Sequence, residues 1–146
     1  MLSDDELRAA GWTALNAPDF NHLAGPYWHR REEGALVVAL PSGPRHANGP
    51  LGIVHGGAMM TFADVALGCL IGMDLGWKVL ATVHLSYNFT AAARLDRLIT
   101  CRPELVRQTS SLAFVRGLIK DGDRAIGSAE GIWKLLDPQK AASLKG

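Results

Sequence analysis

The stretch IVHGGAMMTFADVA, residues 53–66, sets His55, Gly56 and Gly57 ahead of an apolar run that holds one carboxylate, Asp64. If a helix begins at Gly56, its first backbone N–H groups have no partner within the helix. The aligned peptide dipoles add about half a positive charge at that end. Without a side chain at Gly56 or Gly57, a ligand carbonyl could approach those donors. Preorganised N–H groups facing a developing negative charge are the physics of an oxyanion hole. The competing reading is a sharp loop-to-helix turn or close packing with no ligand at all. Asp64 raises the complementary question. A carboxylate among Phe62, Val65 and Leu67 is costly to bury unpaired, so it has a partner, reaches solvent or lines a cleft. In a cleft it could serve as base or nucleophile, and partial burial would raise its pKa into a useful range. Bonded to a backbone or hydroxyl group, it would be structural. His55 divides in the same way, between touching a substrate and orienting the loop.

Gly56 and Asp64 are eight positions apart, roughly 12 Å along a helix at the standard rise. One chain could not easily bring both to one carbonyl. Two copies about a two-fold axis could, with Gly56 from one and Asp64 from the other.

The elements that position these residues follow from patterning. Ser3 with Glu6 fits a capping box, predicting a short helix from about Asp4 to Leu15. NAPDFNHLAGP reads as loop. Residues 27–40 read as extended, broken by a turn at Glu33-Gly34, with ALVVAL a buried strand. Residues 41–52, PSGPRHANGPLG, form a loop dense in Pro and Gly. The central helix runs from about Gly56 to Leu75. Met59, Met60, Phe62, Val65, Leu67, Leu70, Ile71 and Met73 leave it without a polar face, which predicts that it is surrounded. From residue 82 onward Val83, Leu85, Tyr87 and Phe89 alternate with polar residues, and segments 98–107, 111–120 and 125–136 also read as strands. The connections AAARLD, QTS and DGDR are short enough to predict an antiparallel meander. The tail from Pro138 is expected to fray. One apolar helix needs a sheet curved around it, an α+β arrangement known as the hotdog architecture. Its open edges predict pairing with a second copy, a dimer at least.

Composition bounds the rest. The chain of 146 residues reads as one domain, 1–146, with a core over about 27–136. Hydrophobic residues are 48% and charged residues 20%, an ordinary globular balance. A net charge of +1 argues against nucleic-acid or anionic-membrane partners, and the pair Arg30-Arg31 is followed at once by Glu32-Glu33. Cys69 and Cys101 are far apart, with no ligand neighbours at zinc spacing, which predicts buried reduced thiols and no metal. The acidic start does not resemble a signal peptide. The longest fully apolar run, Val65 to Met73, is well short of the ~20 residues of a membrane span. A cytoplasmic location is expected.

GIVHGGAMMTFADVA resembles the hotdog-fold acyl-CoA thioesterases of the phenylacetic-acid-degradation type, from about Tyr27 to Leu136. The resemblance implies hydrolysis of an acyl-CoA thioester to free acid and CoA. It gives Gly56 the backbone donor for the thioester oxygen, and Asp64 of the partner subunit the base or nucleophile. Aligning TVHLSYNFTAAA with the next strand gives Thr82 the hydroxyl that orients water. It implies no metal and no cofactor beyond the coenzyme A of the substrate. The family's asparagine six positions before the histidine falls here on Gly49. Asn48 stands one position further back, so the loop bulges to deliver it, or His46 or the backbone takes its place, or the contact is absent. Gly57, Met60, Phe62 and the neighbouring Met59 are candidates to contact the acyl group, against a plain core role for the apolar ones. Arg94 and Arg97 are candidates for the phosphates. A homodimer, paired further into a homotetramer, is expected. Two other activities use this fold: a non-catalytic acyl-CoA-binding module, and an enoyl-CoA hydratase or dehydratase needing an Asp/His pair.

Overall fold

A computed structural model describes residues 2–143. The first helix, α1 (Asp4–Ala9), begins with both halves of the Ser3–Glu6 capping box in place. It ends well before Leu15, because Gly11 at φ 82° turns the chain out of the helix. The next residues form a short strand, β1 (Thr13–Ala14). Leu7 and Trp12 are buried with Trp28, Val37 and Ala39 in a small cluster of their own. Inside the expected loop lies a one-turn helix, α2 (Phe20–Ala24), which has no side-chain cap to announce it.

Strands β2 (Trp28–Glu32) and β3 (Ala35–Pro41) form the expected hairpin. Glu33 and Gly34 both take positive φ, 50° and 81°, the requirement of a two-residue primed turn. Beyond two single 3₁₀ turns comes α3 (Gly56–Met73). Four long strands follow: β4 (Val79–Phe89), β5 (Leu98–Gln108), β6 (Leu112–Asp121) and β7 (Arg124–Leu136). The seven strands form one sheet in the order β1-β2-β3-β5-β6-β7-β4, antiparallel throughout.

That order corrects the simple meander. Strands β5, β6 and β7 do follow one another as neighbours. Strand β4 lies at the far edge against β7, with β6 and β7 between it and β5. Three strand spacings amount to about 14 Å, and the eight residues 90–97 can reach roughly 27 Å when extended. The connection is therefore long enough to cross the end of the sheet. It passes the start of α3, where Val54 N–H donates to Ala93 O at 2.8 Å.

The sheet curls around α3, and Phe62, Ala63, Ala66, Leu67 and Ile71 are fully buried there. Over 18 residues α3 has a mean hydropathy of 1.5, matching a membrane span in length and composition. Its place inside the sheet accounts for that apolarity. The helix is not enclosed on every side, however. Gly57 and Met60 are exposed, and Thr61 and Asp64 are half-buried. These positions, at i, i+3, i+4 and i+7, make one open stripe. After β7 the chain enters a one-turn helix, α4 (Pro138–Ala142), capped by Asp137 on Gln139 N–H. The last three residues of the expected tail lie outside the described ones.

Candidate active site

Asp64 stands on the open stripe of α3, and its Oδ1 accepts a 2.6 Å hydrogen bond from Thr82 Oγ1 on β4. The strand achieves this through a bulge. Thr82 lies opposite Trp133 and His84 opposite Ile132, so Val83 is an extra residue with no partner on β7. The buried residues of β7 include Ala129, Gly131, Trp133 and Leu135. Opposite them lie Tyr87, Leu85, Thr82 and Leu80. The inward face of β4 thus changes from odd to even positions at Val83. Strict alternation would leave Val83 inside and Thr82 outside. Instead Val83 is 61% exposed, and Thr82 faces the helix.

The start of α3 is built differently from a bare pair of glycines. His55 is the N-cap, and its Nδ1 accepts the Gly57 N–H at 2.9 Å. That bond fixes Nδ1 as the unprotonated nitrogen. A Cβ on Gly57 would stand 3.1 Å from His55 Nδ1, so the glycine lets the ring fold over the helix end. With its N–H already engaged, Gly57 serves the cap. Gly56 borders a cleft of about 380 Å³ together with Asn48, Met59, Tyr87, Phe89 and residues 90–93. Asn48 lies in the same cleft as Gly56, just ahead of the turn at Gly49–Leu51. His46 does not take its place. It is 3% exposed, accepts Gly43 N–H through Nδ1, and lies 3.1 Å from the carbonyls of Ala24 and Gly25 through Nε2.

The other candidates separate by burial. Phe62 has no exposed surface and stacks on Tyr27 with ring centroids 6.2 Å apart, which makes it core. Met60 is 38% exposed on the open stripe, whereas Met59 reaches the cleft. Tyr27 carries no site signal in the sequence. Burial pushes its hydroxyl up to about 12, and the charge of Asp64 adds to the shift. The thiols of Cys69 and Cys101 are likewise raised to about 12, chiefly by burial. Arg94 forms an ion pair at 2.8 Å with Asp121, whose other oxygen takes Arg97 at 2.8 Å. Arg124 approaches the same carboxylate at 3.5 Å. In DGDR, Asp121 and Arg124 carry only the signal of a turn.

Within this one chain, Gly56 and Asp64 do not meet. The cleft beside Gly56 does not include Asp64, which sits about two helical turns further on. A long helix held in a curled antiparallel sheet is the hotdog fold.

Residues 51–128 match the model of the Thioesterase superfamily, and the chain belongs to that family. It is 30% identical over 115 residues to a candidate esterase of Pseudomonas aeruginosa, covering 77% of this chain and 85% of that one. It is 28% identical over 114 residues to an acyl-coenzyme A thioesterase of Bos taurus, again covering 77% of this chain but 46% of the bovine protein. A Bacillus halodurans protein crystallised with CoA superposes with a TM-score of 0.67 at 26% identity, over 75% of this chain and 73% of that one.

Proposed function

We propose that the protein is an acyl-CoA thioesterase whose active site is completed across a two-fold axis. The observation that carries this reading is the Asp64–Thr82 pair, 2.6 Å apart on the open side of α3 beside an unpaired sheet edge. Gly56 N–H of one protomer faces the thioester oxygen and stabilises the charge that develops on it. Asp64 of the partner acts as base toward water or as nucleophile, with Thr82 holding it in place. Asn48, on the Gly56 side of the cleft, contacts the thioester or the water, and His55 maintains the helix start that aims the donor. Met60 and Gly57, on the exposed stripe, meet the acyl chain or the partner. Arg94 serves the phosphates. The bovine relative's name and the CoA in the Bacillus structure support coenzyme A as the carrier. No metal or separate cofactor enters this mechanism.

The test is release of free thiol from phenylacetyl-, benzoyl-, hexanoyl- and palmitoyl-CoA by the wild type and by Asp64→Asn. Wild-type turnover with a loss of about 100-fold in the variant, as expected for a general base, supports the mechanism and identifies the acyl class. Equal rates would remove Asp64 from it. Tight binding without release would favour the binding module, and loss of enoyl absorbance the hydratase.

A further inference from the structure

Resting on the thioesterase reading, we propose that Phe89 is a specificity-determining residue: its ring bounds the space beside the Gly56 donor, so the site takes acyl groups unbranched at the carbon next to the carbonyl. A Cβ on Gly56 would stand 3.4 Å from Phe89 Cζ and 3.6 Å from Cε1. The gap between the ring and the backbone that carries the donor therefore holds a methyl group with nothing to spare. The helix does not itself ask for glycine there, since alanine is the better helix former. What the glycine preserves is that gap. An acyl carbonyl accepting Gly56 N–H at about 2.9 Å brings its neighbouring carbon, two bonds from the bound oxygen, against the ring. A plain methylene passes through such a space, and a methyl branch on it meets the ring.

The rest of the cleft suits an acyl occupant. Among the described residues no charged side chain lines it, and Asn48 and Thr90 are polar members of its wall. The Tyr87 hydroxyl is buried over Gly127 and adds no exposed polar group. An uncharged, largely apolar wall receives the hydrocarbon end of the substrate, because charged groups are costly to desolvate there. Phe89 is also held in place. Leu85, Tyr87 and Phe89 share one face of β4 beyond the bulge, and the Phe89 ring leans on Tyr87 with centroids 4.3 Å apart and planes tilted by 41°. Yet Phe89 is 55% exposed, whereas Met59 in the same wall is 2% exposed. Phe89 is too open for a core residue and stands where a substrate would meet it. In the sequence it is only the last member of an alternating strand, and nothing there sets it apart from Leu85.

Two matched pairs of substrates test this: hexanoyl- with α-methylhexanoyl-CoA, and phenylacetyl- with α-methylphenylacetyl-CoA, each pair differing by one methyl group. The wild type should favour the unbranched member about tenfold in kcat/KM, the low end of what one such group is worth in a tight apolar pocket. Phe89→Ala should bring each pair within about twofold by raising turnover of the branched member, with Phe89→Leu between. Gly56→Ala keeps the N–H but fills the gap, so it should slow both members, and adding Phe89→Ala should restore the unbranched one. Variants that alter both members alike, or neither, overturn the proposal. A Phe89→Ala protein of lower oligomeric mass than the wild type, by light scattering, overturns it too, since the ring would then belong to a subunit contact. If the wild type releases thiol from none of the four, the thioesterase reading stands or falls with the other acyl-CoAs. Calorimetric titration with the same pairs then decides the cleft by itself: tighter binding of the unbranched member, levelled by Phe89→Ala, supports the proposal, and equal binding ends it.

Discussion

Gly127 has no side chain at a point where a Cβ would stand 2.2 Å from the Tyr87 hydroxyl and 2.4 Å from the ring carbon that bears it. The two residues lie on neighbouring strands, and Tyr87 fills the space that the glycine leaves. Tyr87 is also a wall of the Gly56 cleft, so the glycine shapes the site without touching it. Gly127→Ala must displace an aromatic ring from a packed interior. A loss of about 3 kcal/mol is expected, at the upper end of overpacking costs, read from the urea midpoint at constant slope. Adding Tyr87→Leu to the same chain should recover part of that loss, since it removes the atoms in conflict. A cost that adds to the first instead of offsetting it would show that the two side chains do not compete for the space.

At the scale of elements, the bulge at Val83 decides which face of β4 Thr82 occupies. Because Val83 is the unpaired residue, deleting it leaves Leu80, Thr82, Leu85 and Tyr87 on the core side. Deletion of Val83 should therefore cost under about 2 kcal/mol and keep thiol release dependent on Thr82. Deletion of Ser86, in the regular part of the strand, reverses every inward position before it and should unfold the protein. Thermal melts of the two deletions separate these outcomes. The same bulge marks where the sequence stops being legible. Val83 to Phe89 reads as a clean alternation, which places Leu85 and Tyr87 correctly and Val83 and Thr82 on the wrong faces. Only the motif resemblance points to Thr82. The central helix, its start at Gly56 and the four long strands are plain from periodicity, because burial dictates those patterns. The position of β4 in the sheet is not plain, since an eight-residue connection permits either a hairpin or a crossing. The arginine cluster is hidden for a similar reason: Asp121 reads as a turn residue until β5 and β6 bring residue 94 beside it.

The whole molecule couples these parts through charge and through assembly. Burial raises the Asp121 pKa, but hydrogen bonds and charge from Arg94 and Arg97 outweigh it and hold the carboxyl below its usual 3.8. A lowered folded pKa contributes stability that is complete above the unfolded value and is lost as pH falls through the folded one. Asp121→Asn should therefore cost about 2 kcal/mol at pH 7, the scale of hydrogen bonds to a charged group. The gap between variant and wild type should narrow once pH drops below 3.8. Parallel melts from pH 7 to 2.5 give that comparison, and a gap independent of pH would mean that the charge on Asp121 is not what holds the three arginines. Assembly is tested by complementation. Gly56→Pro removes the backbone donor at a helix position that tolerates proline, while Asp64→Asn removes the carboxylate. If the site is shared, an equal mixture of the two inactive proteins, exchanged through mild denaturant, recovers about a quarter of wild-type activity, because half the dimers carry one intact site. A mixture as inactive as its parts would place Gly56 and Asp64 in the same chain's site.

The strand order also sets a timetable for synthesis. β4 is made near the middle of the chain, yet its one partner within the chain is β7, which ends at Leu136. While a ribosome is still adding residues 90–123, Thr82 and Asp64 have both been made but the strand that carries Thr82 has no sheet partner yet. The Asp64–Thr82 pair is therefore secured among the last events of folding, and a nascent chain can close its helix and the β5–β6 hairpin before that pair is fixed.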